Sequence, residues 1–189
     1  MEPRQEWLRI GYAALLAAIG WFALVLQLGI VVKEAQATGV SVLSAEVRVF
    51  SFFTILTNLL VALVMTAEAL RPKLQALKFL ARPTVQAAVT VYIVVVGIVY
   101  NLLLRKVWNP QGWQKLADEI FHDFVPLAYL FYWLTWTSKG TTTWKDPLRW
   151  LSYPLAYAAY TLVRGIMTQT YPYPFLNVAH LGYPRVLLN

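Results

Sequence analysis

The sequence has no cysteine, only two histidines and few charges. Without cysteine there can be no disulfide scaffold, thiolate zinc site, iron–sulfur cluster or cysteine nucleophile. With only His122 and His180, the several-histidine zinc sites of membrane hydrolases are disfavoured. No G-x-S-x-G segment is present to form a serine nucleophile elbow, and no internal repeat stands out. Charged residues make up 13% of the chain, where a soluble domain usually carries about 25%. Lysine and arginine number 16 against nine acidic residues, for a net charge of +7. These basic residues lie between apolar runs, so they read as loop charges flanking membrane spans, and no nucleic-acid partner is expected.

What is abundant is apolar and aromatic: 59% of residues are hydrophobic and 15% are Phe, Trp or Tyr. A soluble protein of 189 residues has too little interior to hide that surface. A transmembrane helix needs about 20 mainly apolar residues. Five such runs occur, at 8–32, 47–70, 83–105, 117–138 and 147–168. Ala35-Gln36-Ala37 loosely resembles a signal-peptidase site, but the apolar run before it is longer than the usual 7–15 residues, so a retained first span is expected. Arg71-Pro72, Arg82-Pro83, Asn109-Pro110-Gln111-Gly112 and Asp146-Pro147 punctuate the runs. The segment 169–189, "TYPYPFLNVAHLGYPRVLLN" from Thr170 onward, is rich in proline and aromatics. The predicted fold is an all-α, polytopic transmembrane bundle in one integral membrane domain.

Basic residues suggest an orientation. Arg4 and Arg9, the 71–82 loop with Arg71, Lys73, Lys78 and Arg82, and the 139–149 loop with Lys139, Lys145 and Arg149 fall on one side. Lys33, Arg48, Arg105, Lys106, Lys115, Arg164 and Arg185 fall on the other. The dense 71–82 loop decides the assignment: that loop and the N-terminus are expected in the cytoplasm.

This topology puts several polar residues at one depth. Thr54 lies six residues past Arg48, about 9 Å along a helix, and His122 lies five past Ala117, about 7.5 Å in. Asn101 and Arg164 fall near the ends of oppositely running spans. Thr54, Thr57, Asn58, Asn101, His122, Asp123 and Arg164 therefore sit at similar depth below the same surface, and such groups usually face one another or a wet cavity. For Thr57 and Asn58 the plainer role is interhelical hydrogen bonding, worth about 0.6 kcal/mol per bond. For His122 and Arg164 no structural need is visible, so a functional role is expected. Asp118 and Glu119 lie four and three residues before His122, so either carboxylate can share its helix face and fix its tautomer. Asp123 lies four residues past Glu119, which invites a cationic partner, and Arg164 is the expected one.

Several chemistries fit parts of this pattern. The D-E-x-x-H-D spacing of residues 118–123 resembles a ligand set, yet one histidine and interfacial carboxylates make a poor metal site. Haem ligation by both histidines would need His180, which lies in the irregular tail, and retinal-type chemistry would need a mid-span lysine. No metal or cofactor is expected. A threonine hydroxyl activated by histidine is chemically adequate for acyl transfer if the two converge. Thr54 and His122 share the depth that this requires.

The segments "FSFFTILTNLLVAL", "HDFVP", "WLSYPLAYAAYTLVRG" and "YPYPFLNVAHLGYPRVLLN" together resemble the androgen-induced-gene-like family of polytopic membrane proteins, most closely its bacterial six-span branch. The resemblance covers nearly the whole chain, and "YPYPFLN" is its most specific piece. It implies hydrolysis of fatty acid esters of hydroxy fatty acids, as in animal relatives, by an intramembrane threonine with a histidine partner. By motif the threonine falls on Thr54, with Thr57 the alternative, and the histidine falls on His122. A sixth span is common in the bacterial branch, whereas here the chain stops at "RVLLN", so a truncated or missing sixth helix is expected. Within this reading Asp118 or Glu119 orients His122, Asn58 or Asn101 donates to the oxyanion, and Arg164, with Thr57 nearby, binds the carboxylate of the substrate. The expected partners are membrane lipids and a fatty-acyl ester, in a bacterial inner membrane. The competing reading is a non-enzymatic protein that binds lipid or transports a small molecule.

Overall fold

The computed structural model describes residues 3–70 and 75–188, with only the backbone of Ala76. Among these residues the chain is all helix and turn, without a strand. Helix α1 spans Pro3–Thr38, α2 Val42–Val49 and α3 Phe53–Leu70. Helix α4 spans Gln75–Leu80, and α5 runs from Pro83 to Val99 and continues as a π-helix over Tyr100–Leu104. Helix α6 (Gly112–Glu119) passes through a second π segment (Ile120–Phe124) into α7 (Val125–Trp136). Helices α8 (Asp146–Trp150) and α9 (Ser152–Thr168) follow. A 3₁₀ turn at Pro174–Leu176 and the short helices α10 (Val178–Leu181) and α11 (Tyr183–Leu188) complete the chain.

Among the described residues, three helices are long and apolar enough to cross a membrane: Pro3–Thr38, Phe53–Leu70 and Pro83–Leu104. The other two expected spans are helical but differ in extent. The fourth begins at Gly112, five residues early, and carries Asp118, Glu119 and Asp123 within it. The fifth is divided at Leu151 into α8 and α9. The second expected run, 47–70, is also broken: α2 ends at Val49 and α3 starts at Phe53. The tail is less irregular than its prolines imply, since α10 and α11 occupy much of it.

The helices alternate in direction, and two polar clusters pin their ends. At one end Glu68, near the close of α3, accepts from Arg9 Nη1 of α1 at 2.7 Å, Gln86 Nε2 of α5 at 2.7 Å and Tyr132 OH of α7 at 2.9 Å. Thr137 Oγ1 donates to Gln86 Oε1 at 2.6 Å and completes the set. The first part of α1, the last turn of α3, the start of α5 and the end of α7 thus meet there. Glu68 and Gln86 are buried, and a charge taken out of water is tolerated only when paired and hydrogen-bonded.

Between the ends, packing depends on small side chains. Ala13, Ala17, Gly20 and Ala23 line the buried stripe of α1. A Cβ at Gly20 would stand 3.3 Å from that of Ala62 on α3. Small residues allow this close approach, and in lipid the gain is dispersion, since tails are as apolar as the core. Large apolar side chains such as Leu15, Val25, Ile98, Leu127, Leu155 and Val163 point outward and are exposed, as a lipid-facing surface requires.

Helix α9 is joined by aromatics. Tyr153, Tyr157 and Tyr160 follow at i, i+4 and i+7, on one face. Tyr153 OH bonds Thr57 Oγ1 at 3.1 Å, Tyr157 OH donates to Ser51 O at 2.9 Å, and Tyr160 OH meets Ser51 Oγ at 3.0 Å. The Tyr153 ring lies tilted against Phe53 and Tyr92, and the Tyr157 ring meets Phe53 edge-on. After α9 the chain reverses at Gln169, at φ 54°, and lays the Tyr171 ring on Gly165. A Cβ at Gly165 would stand only 2.0 Å from Tyr171 Cε1.

Two outcomes are expected. Glu68→Ala leaves Arg9, Gln86 and Tyr132 without their acceptor and destabilises the bundle by about 3–5 kcal/mol, read from unfolding in mixed micelles. Gly165→Ala displaces Tyr171 and frees the tail, so limited proteolysis cuts near 169–175 faster than in wild type, with the helical CD signal unchanged.

Candidate functional site

The opposite end of the bundle holds a cavity of about 580 Å³. Its walls come from α1 (Gln27, Val31, Glu34), the α2–α3 corner (Arg48, Phe52, Thr54, Ile55), the first π segment (Tyr100, Leu104), the α6 helix and second π segment (Gln114, Asp118, Phe121, His122) and the tail (Pro172, Tyr173, Pro174). Gln27 and Gln114 exchange two amide hydrogen bonds, at 2.9 and 3.3 Å, and tie α1 to α6 beside it.

The local shape of the histidine-bearing wall follows from Pro126. In the π segment the Val125 N–H bonds back to Ile120 O, five residues away. The next donor in that series would be residue 126, which has no N–H. Phe121 O is therefore left over, and Asn58 Nδ2 of α3 donates to it at 3.3 Å and to Thr54 O at 2.9 Å. On the other side Gly97 of α5 admits the same wall: a Cβ there would meet His122 O at 3.1 Å and Pro126 Cβ at 3.2 Å. Both π segments lie at this site, a frequent position for such bulges.

His122 and Asp118 form a compact pair. His122 Nδ1 is 2.9 Å from Asp118 O and 3.3 Å from Asp118 Oδ1. Nδ1 thus carries the proton in the neutral ring, and Nε2 is left with its lone pair. Tyr100 OH donates to Asp118 Oδ2, and the Tyr100 ring stacks on His122 at 3.8 Å between centroids and 13° between planes. The far side of Tyr100 is covered by the Arg105 guanidinium, 4.9 Å from its centroid. Asp118 is buried, so a carboxylate with two donors is fixed beside the ring.

Thr54 sits in the first turn of α3, where backbone amides lack intrahelical acceptors. Its N–H donates to Tyr173 OH at 3.3 Å, and Tyr173 OH also lies 3.3 Å from Thr54 Oγ1. The Tyr173 ring is held edge-on to Phe52 and stacked on Phe175. Burial pushes the Tyr173 phenol up from its ordinary value, so it remains an O–H donor across neutral pH. Thr54 and His122 both line the cavity, and no hydrogen bond joins them.

The remaining expected site residues part company, because equal depth does not mean a shared face. Glu119 is exposed and paired with Lys115 at 3.8 Å, so it does not orient His122, and Asp118 alone does. Asp123 pairs with Arg105 and accepts from Asn101 Nδ2 at 3.0 Å on the outer surface. Arg164, expected as the partner of Asp123, instead reaches Thr170 at 3.4 Å. It does not line the cavity, so a substrate carboxylate in that cavity cannot be held by it. Thr57 is buried and turned to Tyr153. Neither asparagine is placed as an oxyanion donor. Asn58 gives its amide protons to two carbonyls, leaving Oδ1 buried without a donor, and Asn101 donates to Gly97 O and Asp123. Asp118, Glu119 and Asp123 diverge, and among the described residues no three ligating side chains converge. His180 is exposed in α10, far in sequence from His122.

Sequence reasoning missed Tyr100, Arg105 and Tyr173. Tyr100 and Arg105 carried no pattern of their own. Tyr173 lies in "YPYPFLN", the most distinctive segment of the chain, which only tertiary folding carries to Thr54. Comparison with protein-family models, curated proteins and solved structures finds no match to this chain.

Asp118→Asn is expected to turn one of the two oxygens that Tyr100 and His122 approach into an NH2 donor, so that only one of them keeps an acceptor. The imidazole Nδ1–H resonance of His122 should broaden or shift upfield in the NMR spectrum, and stability should fall by about 1–3 kcal/mol.

Proposed function

We propose that this protein is an integral membrane lipid-ester hydrolase that uses Thr54 as nucleophile and His122 as base. The observation that carries the reading is that Thr54 and the Asp118–His122 pair open on one cavity, with the histidine's Nδ1 occupied and its Nε2 available. Much of the lining is apolar, including Val31, Ile55, Leu104 and Phe121, which suits a fatty-acyl chain. The resemblance to the androgen-induced-gene-like family supplies the reaction class, with fatty acid esters of hydroxy fatty acids as the model substrate.

In this mechanism Thr54 Oγ1 attacks the acyl carbonyl carbon while His122 Nε2 takes its proton. The tetrahedral intermediate collapses, the C–O bond to the leaving alcohol breaks, and His122 returns the proton to that oxygen. Water then attacks the acyl–Thr54 ester while His122 takes its proton, the acyl C–Oγ1 bond breaks, His122 returns the proton to Thr54 Oγ1, and the free fatty acid leaves. Asp118 keeps the ring in the required tautomer and stabilises the imidazolium formed in each half-reaction. Thr54 and its oxygen sit at the N-terminal end of α3, where the helix dipole favours developing negative charge.

The membrane setting belongs to the same reading. The N-terminus and the basic 71–82 and 139–149 loops face the cytoplasm of a bacterial inner membrane, and the cavity lies in the outer half of the bilayer. Five spans form the bundle: α1, α3, α5, the α6–α7 unit and α9.

A second reading is a lipid-binding or small-molecule transport protein without catalysis. It is favoured by one contact: the neighbour of Thr54 Oγ1 is Tyr173, not His122.

An alkyl fluorophosphonate separates the two. The hydrolase reading expects covalent labelling of the purified protein at Thr54, abolished in Thr54→Ala and slowed by about 10²–10⁴-fold in His122→Ala. Labelling that survives Thr54→Ala sinks the assignment, and reversible lipid binding without labelling favours the second reading.

A further inference from the structure

An acyl-transfer site needs a donor for the oxygen that becomes negative, and removing one such donor typically costs roughly 10²–10³ in rate. Both asparagines expected in this role have spent their amide protons elsewhere. Gln27 and Gln114 are engaged with each other. Tyr100 has given its hydroxyl proton to Asp118. Among the described cavity residues, one hydroxyl stands beside the proposed nucleophile with its proton uncommitted to a backbone or carboxylate acceptor. It belongs to Tyr173, whose oxygen lies 3.3 Å from both Thr54 N and Thr54 Oγ1.

We propose that Tyr173 is a catalytic residue, its phenol O–H donating to the substrate's carbonyl oxygen as negative charge develops there. The inference rests on the hydrolase reading above and extends it to a residue on the tail. The geometry forms a relay. The Thr54 N–H, an amide of the first turn of α3, donates to the Tyr173 oxygen and polarises its O–H bond. In the free protein that hydroxyl shares a hydrogen bond with Thr54 Oγ1 at 3.3 Å, in which either oxygen can donate. When Oγ1 bonds to the acyl carbon, the carbonyl oxygen arrives next to the same hydroxyl and accepts its hydrogen bond. No proton leaves Tyr173: the bond strengthens as the oxyanion forms and relaxes when the intermediate collapses. Burial favours this, because a neutral donor in a water-poor site is already oriented and needs no solvent reorganisation.

The fold supplies the precision that the role requires. Tyr171 is seated on Gly165 of α9, two residues before Tyr173. Pro172 and Pro174 flank Tyr173 and fix the backbone φ on either side. The ring is gripped by Phe52 and Phe175.

The test is the second-order labelling rate and its saturation by an alkyl fluorophosphonate, with the adduct located by mass spectrometry, in wild type and Tyr173→Phe. Phenylalanine keeps the contacts to Phe52 and Phe175, so the tail should stay seated, which protease resistance at 169–175 will check. The expected result is wild-type labelling at Thr54 and a fall of roughly 10²-fold in the maximal labelling rate of Tyr173→Phe, with the half-saturating probe concentration within about twofold of wild type. Replacing Tyr173 by a fluorinated tyrosine of lower phenol pKa is a second measurement. It should bring the alkaline loss of labelling to lower pH, which a purely structural hydroxyl would not do. A Tyr173→Phe rate equal to or above wild type overturns the proposal while leaving Thr54 as nucleophile. Wild-type protein that is not labelled at Thr54 overturns both this role and the hydrolase reading. If Tyr173→Phe loses its tail packing, the fluorotyrosine variant decides, and an unmoved pH limb overturns the proposal.

Discussion

Pro126 brings no N–H into the helical run from Gly112 to Trp136, so Phe121 O has no partner within its own helix. An unpaired carbonyl at bilayer depth costs several kcal/mol, and a partner must come from elsewhere. Asn58 provides it from α3, which locks the histidine-bearing wall against the threonine-bearing helix. The π segment Ile120–Phe124 precedes the proline; His122 within it and Asp118 one turn earlier line the cavity, while Asp123 pairs with Arg105 away from it. Gly97 allows α5 to approach the same turn, which brings Tyr100 flat onto the imidazole. The donor that one residue lacks thus sets the relative placement of three helices.

The two ends of the bundle treat buried polar groups differently. Around Glu68, three donors surround the carboxylate, and Thr137 completes the partner set of Gln86. That cluster ties four helices together, with the carboxylate's donors all supplied by the protein. At the other end Asp118 is held by Tyr100 and His122, but His122 retains a ring nitrogen and Thr54 Oγ1 has only a long contact to Tyr173. Spare hydrogen-bonding capacity beside a cavity is what distinguishes a candidate site from interhelical glue. Outside the bundle, Arg105 serves both clusters of the site face: it neutralises Asp123 and covers Tyr100.

The helical class and the membrane character were legible from composition, because long apolar runs leave the backbone no choice but to satisfy itself within helices. The third span was read nearly to the residue, since Pro83 marks its start and an apolar run of one length fixes its end. The second and fifth were read as unbroken, and both are interrupted: hydropathy reports burial and does not report where the chain bends at Phe50–Phe52 or Leu151. A carboxylate beside His122 was also legible, because residues three or four apart on a helix share a face, but the choice of Asp118 over Glu119 came only with the structure.

What the sequence by itself determined is therefore local and one-dimensional: apolar length, helical class, the position of each polar residue along its helix, and contacts within one helix. Which face a residue shows to a neighbouring helix was decided by tertiary structure alone. Arg164 and Asp123 lie at similar depth yet never meet, and Arg105 takes the place expected of Arg164. Tyr173, more than a hundred residues beyond Thr54, reaches it because Gly165 seats Tyr171 and the chain reverses at Gln169. Depth follows from a count of residues at a fixed rise, whereas facing depends on rotation about each helix axis. Here that rotation is set by features with no hydropathic signal: a missing N–H, a missing Cβ and two π turns.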